Sequence, residues 1–160
     1  RIAALVRGAG GDAAGGEGVL AVGPEVRSHK GETVARLQRA VRPSAGYARS
    51  LGVLARSKQA GLTTKSGLVV GMGETVAELD GCLADLAAIG VDIVTIGQYL
   101  RPTSHHLPVD RWVEPSEFER WRELGESWGI GHVEASPLTR SSYHARHAAE
   151  HVSPVTVSLR

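Results

Sequence analysis

Apolar positions along the chain alternate between short bounded runs and stripes at three- and four-residue spacing, clearest across residues 63–90. Residues 66–71, Ser-Gly-Leu-Val-Val-Gly, form a short apolar run, which predicts a strand covered on both faces after a helix-free lead-in. Gly71 and Gly73 end it. Thr75 and Glu78 have capping-box spacing, in which each side chain satisfies an amide that the first helical turn leaves unpaired, worth about 1 kcal/mol. A helix is predicted from Val76, with Val76, Leu79, Cys82, Leu83 and Leu86 on one face and Gly90 as its stop. Val91, Ile93, Val94 and Ile96 make the next strand. The unit is therefore strand, helix, parallel strand, and its chemistry belongs at the strands' C-terminal ends, at Met72, Gly73 and Glu74 and at Gln98 and Tyr99.

The same pattern extends in both directions. Residues 2–6 read as a strand, followed by a glycine-rich stretch, 7–18, without helical period. Gly8, Gly10 and Ala13 match the G-x-G-x-x-A spacing of a pyrophosphate loop, but Gly15, Gly16 and Gly18 oppose the helix such a loop must open, so a flexible loop is the better reading. Residues 25–29 form a short strand with His29 at its C-terminal end, where a ligand residue and a solvated loop histidine are equal readings. Thr33 can cap a helix carrying Val34, Leu37 and Val41, limited by Pro43. Residues 44–61 supply another, with Tyr47, Leu51, Leu54 and Ala55 inward, while Lys58 and Lys65 are expected in solvent. Residues 97–109 form a long polar loop of the kind that covers a site or docks a partner; adjacent His105 and His106 cannot easily serve one metal. Ser116 with Glu119 reads as a second capping box, opening a helix on which Phe118, Trp121 and Leu124 pack, and residues 130–134 as a last strand. In the tail, His147, Glu150 and His151 match H-x-x-E-H, yet residues 152–160 contain no further ligand for zinc, which favours a frayed helix end.

Composition narrows the picture. With 160 residues, 42% of them hydrophobic, one soluble domain with a core is expected. A formal charge of +1 gives no global bias towards nucleic acid or an anionic membrane, and no apolar run approaches the ~20 residues of a membrane span, so a cytoplasmic chain is expected. The single cysteine excludes an internal disulfide and any all-cysteine metal site. Opening on Arg1, directly in a strand-like run, the sequence is expected to lack the start of its parent protein.

Four motifs occur together and in order: Thr64-Lys65-Ser66-Gly67, Gly71-Met72-Gly73-Glu74-Thr75, Gly97-Gln98-Tyr99-Leu100-Arg101-Pro102-Thr103 and Arg140-Ser141-Ser142-Tyr143-His144-Ala145. With Gly23-Pro24-Glu25-Val26, Glu32-Thr33-Val34 and residues 39–44, the set resembles the lipoyl synthases, of an actinobacterial type, over nearly the whole chain up to Glu150. The resemblance implies a truncated, partial (β/α) barrel of the radical S-adenosylmethionine type with about four to five strand-helix units, residues 1–145, followed by a polar tail, 146–160. It implies insertion of two sulfur atoms into an octanoyl chain on a lipoyl carrier domain or the glycine cleavage H protein. S-adenosylmethionine and two 4Fe-4S clusters would serve the chemistry, the auxiliary cluster being the consumed sulfur source. By the resemblance, His29, Ser66, Gly71, Gly73, Glu74 and Gln98 hold the cofactor, and Tyr99, Arg101 and His105 meet substrate. Ser142, in preference to Ser141, is the oxygen ligand of the auxiliary cluster, a weaker partner for iron than thiolate and suited to a cluster that must come apart. Arg140 would orient that site and Tyr143 pack behind it.

Departures from the family pattern carry equal weight. Both three-cysteine motifs lie upstream in the family and neither occurs here, so neither cluster can be held and this chain alone is expected to be inactive. Arg7-Gly8-Ala9-Gly10-Gly11-Asp12 stands where Pro-Asp-Phe-x-Gly-Asp is usual, and His29-Lys30 where His-Asn is usual. The missing N-terminal half would be the chain's first partner. Two further readings compete: a non-catalytic remnant that docks a lipoyl carrier, and a small phosphate-binding α/β domain using residues 8–13.

Overall fold

The computed structural model describes residues 3–5, 26–44 and 46–140, with residues 3–5 and 26–27 in backbone alone. The glycine-rich stretch, Ser141, Ser142, Tyr143 and the H-x-x-E-H tail lie outside the described residues.

Five strands form one parallel sheet: β1 (Ala3–Leu5), β2 (Val26–Ser28), β3 (Thr63–Val70), β4 (Ile93–Gln98) and β5 (His132–Ser136), in the order of the sequence. Between them run α1 (Gln38–Val41), α2 (Tyr47–Gln59), α3 (Val76–Ala88) and α4 (Pro115–Ser127). Sequential order has a geometric consequence. Crossovers of one hand that never reverse direction lay their helices on one face, as in a barrel, whereas a doubly wound sheet reverses and covers both. Leu68 and Val70 of β3, Val94 and Ile96 of β4 and Val133 of β5 accordingly pack with Leu54, Leu79, Leu83, Leu86, Phe118 and Trp121 in one core. Phe118 and Trp121 meet edge to face, 5.9 Å between centroids. The opposite face carries Lys65, Gly67 and Val69, then Thr95 and Gly97, then Glu134 and Ser136, in register across β3 to β5.

Several local expectations change. β3 begins at Thr63 rather than Ser66, because residues 63–65 pair with β2. Thr33 caps nothing: residues 35–37 form a turn, and α1 starts from Leu37 without a side-chain cap. Ser116 is not a cap either, since Pro115 takes the first helical position behind Glu114 and Glu119 turns instead to Arg122. The last strand starts at His132, and Val76 is exposed on its helix. Lys65, expected in solvent, is 2% exposed, because strand alternation fixes it on the non-helical face beside Ile93. Lys58 pairs with Asp92, which also accepts from the Thr64 amide at 2.8 Å and so pins the start of β3 to that of β4.

Candidate functional site

The C-terminal end of β3 is a glycine turn built around a buried carboxylate. Gly71 (φ 100°) and Gly73 (φ 104°) adopt left-handed conformations that other residues resist. Glu74, 7% exposed, accepts from the Gly71 amide at 2.6 Å and the Met72 amide at 3.0 Å. Thr75 and Glu78 then form the expected capping box at the start of α3. Arg36 fastens the turn from outside, donating to Gly73 O and Glu78 Oε1, both at 2.7 Å. That guanidinium, with the Thr75 amide, pushes the Glu78 carboxyl down to about 2.

The end of β4 holds the long loop through one amide side chain. Gln98, 4% exposed, donates from Nε2 to Tyr99 O at 3.1 Å and Arg111 O at 3.2 Å, and accepts at Oε1 from the Val113 amide at 3.0 Å. The loop is also tied to β3, Tyr99 N donating to Val70 O and Asp110 N to Gly71 O, both at 2.8 Å. A Cβ on Gly71 would lie 2.6 Å from Arg111 O, so this closure needs the glycine. Within the loop, Arg101 Nε donates to His106 O at 2.9 Å and its Nη2 to Ser104 O, while Tyr99 OH donates to Leu107 O at 2.9 Å. Residues 99–113 thus fold on themselves, leaving Leu100 and Trp112 exposed.

Between these ends, on the face opposite the helical core and bordered by Val41 at the end of α1, lies an open hollow of about 400 Å³ lined by Lys30, Glu32, Gly67, Gly97, Tyr99 and Arg140 among others. Such a volume suits a small molecule. Glu32 reaches its rim in a left-handed conformation (φ 69°), held because its amide donates to Gly67 O at 2.9 Å and its carbonyl accepts from Val69 N at 2.8 Å. Strain of this kind persists only where the surroundings over-determine it. Arg140 arrives from the far side, after β5.

The structure therefore brings Gly71, Gly73, Glu74, Gln98 and Tyr99 to adjoining strand ends, with Arg140 on the same hollow. His29 is buried just past β2, its amide donating to Lys65 O at 2.8 Å. Ser66 stands apart: it lies on the helical face, beside a small cavity lined by Leu54, Leu68 and Leu86. Arg101 and His105 sit in the loop, His105 in solvent and Arg101 bound to loop carbonyls rather than to a carboxylate. Cys82 is buried on α3, its thiol pushed up by burial, with Tyr47 OH donating to it at 3.3 Å. Lys30, Glu32, Gly97 and Lys65 stand in the sequence motifs but carry no expectation there of lying at the site or on its inner face. Strand alternation holds a signal for two of them: once Leu68 and Ile96 are assigned to the core, Lys65 and Gly97 must face the other way. Lys65 Nζ is buried without a hydrogen-bond partner, and burial lowers its affinity for a proton against the raising effect of Glu134.

A sequentially wound parallel sheet with helices on one face and a ligand-sized hollow at its strand ends defines an α/β protein compatible with part of a barrel. No family model matches the sequence. The chain is 54% identical to the lipoyl synthase of Chlorobaculum parvum over 130 residues, 81% of this chain and 44% of that protein. It is 50% identical to that of Chlorobium limicola over 154 residues, 94% and 53% of the two chains, and 51% identical to that of Mycobacterium tuberculosis over 127 residues, 79% and 41%. The chain is of the lipoyl synthase family and corresponds to its C-terminal portion. It spans about half the length of the curated relatives it matches.

Proposed function

We propose that this chain is the C-terminal part of a lipoyl synthase, built on a partial (β/α) barrel of the radical S-adenosylmethionine type, residues 1–145 forming the barrel part and 146–160 a tail. Its substrate would be an octanoyl chain on a lipoyl carrier domain or the glycine cleavage H protein. The observation that carries the reading is identity above 50% to lipoyl synthases over about four-fifths of the chain.

The residues present fit the adenosyl cofactor. Bare Gly67 leaves room on the inner face, and Lys30, Glu32 and Arg140 offer both charge signs around the hollow for a ligand that carries both. When bound there, the cofactor would supply a 5'-deoxyadenosyl radical able to take hydrogen from an alkyl chain. This chain's own part is to orient. Glu74 and Gln98 would act through the backbone, fixing the turn and the loop that bound the hollow, while Tyr99 and Arg140 would face the ligand itself. Ser142, in preference to Ser141, would be the oxygen ligand of the auxiliary cluster with Tyr143 beside it in sequence, and all three lie outside the described residues.

The residues present do not fit either 4Fe-4S cluster. Cys82, the sole cysteine, is sealed in the helical face, and no group of three metal-binding side chains occurs among the described residues. Thiolates are the ligands such clusters need. The cluster cysteines are therefore assigned to sequence outside these 160 residues, and sulfur insertion to the two parts together. Anaerobic iron-sulfur reconstitution tests this, with the chain alone and beside a polypeptide carrying both cysteine motifs, read by iron content and octanoyl-to-lipoyl conversion. The chain alone should retain no iron and make no product, and the pair should make lipoyl groups. A reconstituted pair with iron but no lipoyl product would leave the carrier-docking remnant as the reading, and cluster-level iron on the lone chain would refute the cysteine argument.

A further inference from the structure

Gly97 occupies the middle of the inner face without any conformational need for glycine. Among the described residues the positive-φ glycines are 61, 71, 73, 90 and 129, and Gly97 is not one of them. A glycine inside a strand weakens it, and its usual reason is the close approach of another backbone. Here the approaching backbone is that of Thr139.

At the end of β5, the Thr139 amide donates to Ser136 O at 3.1 Å, and the hydroxyls of Ser136 and Thr139 share a hydrogen bond of 2.8 Å. This turn swings the chain back over β4, where Thr139 is 5% exposed. A Cβ on residue 97 would fall inside contact distance of the Thr139 carbonyl oxygen and 3.2 Å from its carbonyl carbon, with Arg140 Nη1 at 3.8 Å. The two nearest obstructions are backbone atoms, so no change of rotamer relieves them.

We infer that the Ser136–Thr139 turn and the bare Cα of Gly97 together seat Thr139 across the inner face, making Gly97 a positioning residue for Arg140. Its bearing on sulfur insertion rests on the function proposed above, but the seating does not. Even Gly97→Ala, the smallest possible addition, must lift Thr139 off β4.

The test is a distance measurement between nitroxide labels on Leu138→Cys and Ala84→Cys, both exposed, with buried Cys82 left in place. With Gly97 intact the distribution should be narrow, and a broad one would overturn the seat outright. Gly97→Ala should abolish the narrow peak in the folded population, and Ser136→Ala with Thr139→Ala should do the same while leaving β4 untouched. A glycine that served packing alone would lower the thermal midpoint and keep the narrow distance, which overturns the proposal. If Gly97→Ala does not fold, the double variant decides: broadening upholds the seat, and a retained narrow peak overturns it. These distances do not depend on catalysis, so failure of the lipoyl synthase reading would leave them unchanged.

Discussion

Glu74 offers the sharpest separation between a side chain that meets a ligand and one that builds the site. Both of its carboxylate oxygens are occupied by backbone amides, those of Gly71 and Met72, in a position 7% exposed. Glu74→Gln keeps the shape but turns one acceptor into a donor, which then faces an amide N–H. One charge-assisted bond is weakened to a neutral one and one buried amide is left unmatched, and the negative charge just ahead of α3 is lost. Together these amount to about 3 kcal/mol. Urea unfolding followed by circular dichroism reads this directly: with a slope of about 2 kcal/mol per molar, the midpoint should fall by about 1.5 M. Glu123→Gln, in an exposed position on α4, is the control and should change stability by less than about 0.5 kcal/mol. If Glu74→Gln behaves like Glu123→Gln, the carboxylate does not hold the turn, and the account of this strand end is wrong.

Three further side chains, Lys65, Glu78 and Gln98, give measurable outcomes. Lys65→Met should raise stability by about 1–3 kcal/mol, since it removes an unpartnered buried amine. Because burial lowers the Lys65 pKa, the unfolded chain holds more protons between that lowered value and about 10.4, so stability should climb with pH across this window and lose that slope in Lys65→Met, as read by urea midpoints. Glu78 works in the opposite sense: its carboxyl is pushed down to about 2, so its contribution is complete above about 4.3 and fades as pH falls towards 2, and Glu78→Gln should flatten the acid limb of the thermal midpoint. Gln98→Leu strands Arg111 O and Val113 N and should cost about 2–4 kcal/mol by urea unfolding, with greater protease cleavage within residues 99–113.

Elements with a strong internal signal were legible in the sequence. The Thr75/Glu78 capping box and the α3 stripe of Leu79, Cys82, Leu83 and Leu86 appear where spacing put them, because each is decided by neighbours within four residues. Failures cluster where a distant partner decides. Ser116 and Glu119 are the local exception: they have the spacing of a cap, but Pro115 takes the first helical position and starts α4 two residues earlier. Residues 63–65 look like a lead-in until β2 pairs with them. Lys65 reads as a solvated lysine by type, and only the parity of β3, anchored by Leu68 and Val70 in the core, turns it inward. Of the candidate site, the strand ends were legible as a location, but the work of Glu74 and Gln98 was not, because no periodicity reports which backbone amide a buried side chain will reach.

That difference bears on how such a site can diverge. Two of the most buried polar side chains at the mouth, Glu74 and Gln98, bind main chain, and two glycines, 71 and 97, are required by main-chain approach. The hollow's shape is therefore held by backbone contacts made behind its surface, while the side chains on its rim, Lys30, Glu32 and Arg140, include two exchangeable cations and one carboxylate carried on a left-handed backbone. A substitution at position 30 would alter the rim without touching the frame.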